Sequence, residues 1–194
     1  MREHSWPITL HGTEIYLRPL RLRDRKKWLN VRAENREWLS PWEATLPFIP
    51  GSDVESLQKE LPSFFRLVRT LNRESRDGRS ISFAIWHENN LIGQISMGGI
   101  ILGAMRGAHI GYWIDRAYAG RGYTTEAVNL LTEYGFSVLA LHRIEINLRP
   151  ENAASRRVAE KAGYVLEGER PRYLHIDGDW RDHLSFVKEN PLVK

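Results

Sequence analysis

GAHIGYWIDRAYAGRGYTTEAVNLLTEYGFSVL, residues 107 to 139, is the stretch on which the reading of this chain turns. His109 to Asp115 is rich in β-formers and predicts a strand. Gly120, Arg121 and Gly122 predict a tight turn, after which Ala127, Leu130, Leu131, Tyr134 and Val138 recur at the spacing of an amphipathic helix. The glycines open backbone angles closed to other residues and let a ligand approach the main chain. Thr124 or Thr125 is placed to cap the helix, with Glu126 in its first turn. The free N–H groups of such a turn, with the positive end of the helix dipole behind them, form a seat for a diphosphate.

Two phosphate-binding patterns can be weighed against this stretch. A Walker loop is excluded, because no Lys-Ser or Lys-Thr follows a glycine at the required spacing. Gly120-x-Gly122-x-x-Thr125 comes near the dinucleotide fingerprint, with Glu145 on a later strand, but the third glycine is missing. The strands before it also look antiparallel, with short turns where a crossover helix should be. A capped helix that binds nothing stands as the bland alternative.

Outward from this stretch, the 194 residues suit one domain, taken as 1–194, with a substantial core. With 42% apolar and 27% charged residues the chain is ordinary globular material. It has no run of eighteen apolar residues and no apolar leader in MREHSWPITLHG, so a cytoplasmic location is expected. Cysteine is absent, which removes disulfides and thiolate zinc sites, and the seven histidines lack paired metal-ligand spacing, so no metal is expected. The net charge is +4, and 22 of the 28 basic residues are arginine. That mild excess suits an anionic cofactor or a ribonucleoprotein surface as well as a solvated face, and no sequence-specific nucleic-acid module is visible.

EIYLRPL (14–20) reads as a first strand. Asp24 precedes a helical run to about Leu39 with Trp28, Val31 and Leu29 as its inward candidates, ended by Pro41. SPWEATLPFIP (40–50) reads as a Pro-punctuated loop carrying Trp42 and Glu43. A second helical region follows Ser52 and Asp53, restarts at Pro62 and fades between Asn72 and Gly78. SISFAIWH (80–87) and LIGQISMGGII (91–101) form a hairpin. HRIEINLRP (142–150) is a strand, Asn152 to Ala162 a short helix, and Gly163 its left-handed stop. The remainder is a second hairpin across Asp177-Gly178.

The strand, the AGRGYT turn and the helix after it resemble the cofactor-binding motif of the GNAT superfamily of N-acetyltransferases, Gln/Arg-x-x-Gly-x-Gly/Ala. Ala119 stands where Gln or Arg is usual and Thr124 where Gly or Ala is. AENREWLSPWE (33–43), RPENAASRRVAEKAGY (149–164) and YLHIDGDWRDH (173–183) are similar to the ribosomal-protein-alanine N-acetyltransferases, the RimJ/RimL group, and the likeness runs from about residue 14 to 189. It implies an α/β (α+β) GNAT fold: a mixed, mostly antiparallel twisted sheet, splayed between its fourth and fifth strands and flanked by helices.

The same resemblance implies direct transfer of acetyl from acetyl-CoA to an amine, most naturally the N-terminal α-amine of a protein such as a ribosomal protein beginning with Ala or Ser. The alternatives are a small amine (polyamine, aminoglycoside or amino acid) and a non-catalytic CoA-binding adaptor. A monomer or homodimer without membrane contact is expected. Trp113 and Ile114 would meet the pantetheine arm, Gly120, Arg121, Gly122, Tyr123, Thr124 and Thr125 the diphosphate, and Asn152 the cofactor. Ser155 would protonate the departing thiolate, since Ala159 stands where many relatives carry a tyrosine. Asn152 and Ser155 also read as an ordinary helix cap and first-turn serine. For the general base Glu43 is the candidate, with Glu145 and Glu126 behind it; Glu145 reads equally as a partner of Arg143, and Glu126 as a residue favouring the helix start. Trp42, Tyr173 and Trp180 could line the acceptor groove.

Overall fold

The computed structural model describes residues 6–49 and 63–193. The expected second helical region lies outside these residues from Ser52 to Pro62, and its restart after Pro62 is a described helix. Eight strands form a single sheet in the order β1-β2-β3-β4-β5-β6-β8-β7. They are β1 (Leu10–His11), β2 (Tyr16–Arg18), β3 (Ile81–His87), β4 (Asn90–Ile101), β5 (Gly107–Ile114), β6 (Arg143–Leu148), β7 (Val165–Ile176) and β8 (Asp179–Glu189). Five described α-helices accompany them: α1 (Arg25–Glu34), α2 (Arg36–Leu39), α3 (Phe64–Arg76), α4 (Tyr123–Ser137) and α5 (Ala153–Lys161). No helix among the described residues is long and apolar enough to cross a membrane.

Every neighbouring pair in the sheet is antiparallel except β5 with β6. This is the mixed, mostly antiparallel architecture expected. The short β1 was not, so the parting strands are the fifth and sixth in the chain. Their parallel pairing runs only from Gly107↔Arg143 to His109↔Glu145, although β5 continues to Ile114 and β6 to Leu148. Each has a fuller partner on its other side: β5 stays with β4 as far as Gly93↔Ile114, and β6 stays with β8 as far as Leu148↔Leu184. Held from both sides, the two strands separate into a gap.

Strand alternation divides the core between the two faces of the sheet. Ile81, Phe83 and Ile85 join Ile95, Met97 and Ile144 under Ala127, Val128 and Leu131 of α4 and Ala159 of α5. On the opposite face Ala84 and Trp86 pack with Leu20 and with Phe64 and Val68 of α3, and Trp28 of α1 and Trp113 of β5 border this second cluster. A bulge at Ile85/Trp86, where Ile85 pairs Gly93 but Trp86 pairs Leu91, leaves Ile92 as the extra residue and lets it join Ile95 in the first cluster.

The helical run after Asp24 is divided at Asn35, whose buried side chain donates to Val31 O at 2.9 Å and to Asp115 Oδ1 at 3.0 Å, and accepts from Arg116 N–H at 2.8 Å. Tertiary contacts therefore redirect the chain where periodicity alone suggested continuity. Leu29 is 40% exposed rather than inward. Gly163 takes φ 78°, and Asp177 and Gly178 take φ 49° and 78°, the left-handed geometry of a two-residue hairpin turn.

Candidate active site

The turn before α4 is built as the sequence suggests, with one difference in its cap. Gly120 and Gly122 lie at φ 78° and 90°, and Gly122 is itself the N-cap, without a side-chain cap bond. Thr124 and Thr125 fall inside the helix rather than ahead of it. The first helical ladder bond runs from Glu126 N–H to Gly122 O at 3.0 Å, so the N–H groups of Tyr123, Thr124 and Thr125 precede the ladder. A β-carbon at Gly120 or Gly122 would meet nothing within 4 Å, leaving open space over the turn. Free N–H groups beneath open space are an arrangement able to seat an anion. Arg121 lies over the Tyr118 ring at 5.5 Å. Glu126 accepts from the N–H groups of Thr13 and Glu14, which ties the β1–β2 turn to the helix start.

Main-chain direction can be followed along β5. Arg106 O accepts from His142 N–H at 2.6 Å on the β6 side, whereas Asp115 N–H donates to Ile92 O at 2.7 Å on the β4 side. Alternation turns the peptide groups of Ile110, Tyr112 and Ile114 toward the gap and those of Gly111 and Trp113 toward β4. Of the expected pair, Ile114 is thus the gap-facing residue, and its carbonyl accepts from Trp38 Nε1 at 3.1 Å.

Across the gap, Asn152 is the N-cap of α5 and accepts from Ser155 N–H at 3.0 Å, while its amide nitrogen donates to no described residue. Ser155 Oγ lies 2.9 Å from the hydroxyl of Tyr112, which also donates to Ser155 O at 3.3 Å. Burial pushes the Tyr112 phenol up to about 12, against a smaller opposing effect of Ser155, so it stays protonated at neutral pH. Tyr112 was not singled out from the sequence; its signal was only an even position on a strand flanking the gap. Ala159 is fully buried, so a tyrosine there would have to displace core.

The face of the sheet toward α1 forms a second half of the site. Its floor is polar: Gln94 donates to Ser82 Oγ at 3.1 Å, Ser96 to the same oxygen at 2.8 Å, and Trp28 Nε1 to Gln94 Oε1 at 3.1 Å. A cavity of about 300 Å³ opens here, lined by Gln94, Ser96, Gly98, His109, Gly111, Tyr112 and Trp113. Glu43 reaches this region and is ion-paired with Arg32, whose guanidinium lies 5.2 Å from the Trp113 ring. Glu145, 12% exposed, receives Arg143 at 3.0 Å and Arg170 at 2.8 Å. Its expected partner Arg143 is therefore joined by a second arginine from β7. Arg170 also donates to Tyr173 Oη at 3.0 Å. Trp42 packs under Arg149 at 5.4 Å, and Trp180 meets His175 edge-on.

The arrangement offers free N–H groups at the start of α4, a gap faced by main-chain groups of β5, a hydroxyl pair on one side of it and a polar, arginine-rich groove on the other. Such a site can hold a long phosphorylated thioester through the sheet and present its acyl end to an acceptor. The family model described as "Acetyltransferase (GNAT) domain" matches residues 14–165. "Probable N-acetyltransferase YjcK" of Bacillus subtilis (strain 168) is 35% identical over 182 residues, 94% of this chain and 97% of that one. "[Ribosomal protein uS5]-alanine N-acetyltransferase" of Escherichia coli (strain K12) is 27% identical over 187 residues, 95% of this chain and 92% of that one. Among solved structures, Mycobacterium smegmatis RimJ in complex with CoA-disulfide is similar with a TM-score of 0.84 and 34% identity, covering 97% of this chain and 90% of that one.

Proposed function

The chain belongs to the GNAT acetyltransferase family, and from that premise we propose that its acceptor is the α-amine of a protein N-terminus, in particular a ribosomal protein beginning with alanine or serine. It is an acetyl-CoA-dependent N-acetyltransferase of RimJ/RimL type. The observation that carries the acceptor is the end-to-end likeness to the alanine N-acetyltransferase of uS5. The groove supports it. Glu43 and Glu145 are both tied to arginines, which leaves neither carboxylate free to hold a polycation such as a polyamine.

Acetyl-CoA supplies the acetyl group as an activated thioester. The N–H groups opening α4, at Gly122 to Thr125, hold its diphosphate, with Gly120 and Arg121 shaping the turn. The gap-facing peptides of Tyr112 and Ile114, beside Trp113, and the side-chain amide of Asn152 orient its arm. Ser155, held by Tyr112, provides the proton that the leaving sulfur takes up. Glu43 fixes Arg32 against Trp113 at the groove wall.

Direct attack needs a neutral amine. With reference values near 8 for an α-amine and near 10.4 for lysine, the neutral fraction at pH 7 is about a few hundred-fold larger for the α-amine. A peptide with a free Ala or Ser N-terminus is therefore acetylated at that end, and blocking it leaves internal lysines nearly untouched. Comparable rates on a blocked, lysine-containing peptide would remove the N-terminal reading while leaving the acetyltransferase in place.

A further inference from the structure

Direct transfer makes the attacking nitrogen more acidic as the C–N bond forms, so a group that can take a proton at neutral pH belongs beside the acceptor. Both groove glutamates are engaged by arginines. His175 lies 2.7 Å from Thr45 Oγ1, and His183 is buried with its ring 3.0 Å from Arg181 O. His109 differs from both. It lines the 300 Å³ cavity with Gln94, Ser96, Gly111 and Trp113; the residue is exposed, and partial desolvation and neighbouring charges act on its ring, with no hydrogen bond from a described residue. It is also the last residue of β5 paired to β6, and so stands where the gap begins.

The strand opposite is shaped around that ring. Gly98 pairs with His109 in register, next to a bulge where Gly99 takes φ 59°. A β-carbon on Gly98 would lie 3.0 Å from His109 Nε2, and one on Gly99 2.9 Å from its Cε1 and Nδ1. The imidazole thus lies across bare glycine backbone, where any larger residue would press on it.

We propose that His109 is the general base of the transfer, receiving the proton of the acceptor amine in the cavity between β4, β5 and β6. This rests on the acetyltransferase activity and applies to whichever amine is the acceptor. The amine nitrogen forms its bond to the thioester carbonyl carbon, its surplus proton passes to a ring nitrogen of His109, and the C–S electron pair leaves on sulfur. Sulfur takes a proton delivered through Ser155, which solvent restores, and His109 returns its own proton to solvent. Overall one proton leaves nitrogen and one arrives on sulfur. The charged groups facing the ring are Glu145 of β6 and Arg170 of β7; β4 contributes the uncharged Gln94, Ser96 and the two glycines. Desolvation lowers the ring's pKa, and the opposing effect of Glu145 is offset in part by Arg170, so the neutral, proton-accepting form prevails at pH 7.

The test compares wild type with His109→Ala and His109→Gln on a free-Ala peptide, with acetyl-CoA affinity measured by calorimetry and the His109 C2 proton followed by NMR. Expected are a roughly hundredfold loss of kcat in both variants, unchanged acetyl-CoA affinity, and partial recovery of His109→Ala by added imidazole. In wild type the His109 resonance titrates below the usual histidine range and shifts when CoA and the acetylated product peptide are bound. Turnover within twofold of wild type, a loss that imidazole does not relieve, or a resonance indifferent to product peptide would each overturn the assignment. If wild type ignores the peptide but acetylates spermidine, the N-terminal acceptor falls, and the same variants are judged on spermidine.

Discussion

Tyr112 and Ser155 are 43 residues apart in sequence and share a hydrogen bond of 2.9 Å, which makes the hydroxyl pair a unit rather than two independent groups. Ser155→Ala is expected to lower kcat roughly a hundredfold with little change in acetyl-CoA affinity. Tyr112→Phe leaves Ser155 in place but removes the bond that orients its hydroxyl, about 1 kcal/mol, together with the longer one to Ser155 O, and should cost about five- to tenfold. The double variant should be no slower than Ser155→Ala alone, because residues acting through one another are not additive. Additive losses in steady-state kinetics would separate the two roles. Gly122 makes a different prediction. At φ 90°, Leu is both strained and aimed into open space over the turn, so Gly122→Leu should abolish acetyl-CoA binding by calorimetry while the domain still melts cooperatively.

At the scale of elements, the position of the diphosphate turn depends on a helix far from it in sequence. Asn35 closes α1 and grips Asp115 and Arg116, the residues that lead from β5 toward Gly120. Asn35→Ala should destabilise the protein by about 1 kcal/mol, because the partly buried N–H of Arg116 loses its partner and Asp115 keeps only the Ala117 N–H. It should weaken acetyl-CoA as well, since the turn loses its anchor. A shifted denaturation midpoint with unchanged cofactor affinity would show that the turn holds itself in place. Gly93 sets a second constraint: a β-carbon there would lie 2.4 Å from the carbonyl oxygen of Trp113, so β4 must be bare for β5 to approach it before the gap.

At the scale of the whole molecule, one buried ion pair secures the edge of the sheet. Arg18 of β2 donates to both oxygens of Asp24, at 2.7 and 2.9 Å, and lies 4.0 Å from the Trp86 ring centroid. Burial pushes the Asp24 carboxyl up, but the hydrogen bonds from Arg18 and from Arg21 N–H, with the Arg18 charge, outweigh it and hold the pKa below 3.8. A depressed carboxyl contributes its full stability above the unfolded value and loses it as pH falls through the folded one. The contribution is therefore intact at pH 5 and above and fades below about pH 4. Asp24→Asn should cost about 3 to 5 kcal/mol at pH 7, by leaving Arg18 buried and unpaired, and should lose less further stability below pH 4 than wild type. Parallel stability curves for the two proteins between pH 5 and pH 3 would contradict this.

Local chemistry was enough to read the strand at 109–115, the glycine turn, the helix after it and both hairpins, because periodicity and turn residues act over a few positions. Asp177-Gly178 needed only its own left-handed angles. The family resemblance carried the reading further, to Asn152 and Ser155 as candidates. What local patterns could not reveal depends on register. The break at Asn35 follows from contacts 80 and 81 residues away. The engagement of Glu145 by Arg170, the placing of Tyr112 beside Ser155 and the exposure of His109 over two glycines all depend on where β5 and β6 cease to pair. That point is set by competition between β4 and β8 for the two strands, a property of the assembled sheet that no single stretch contains.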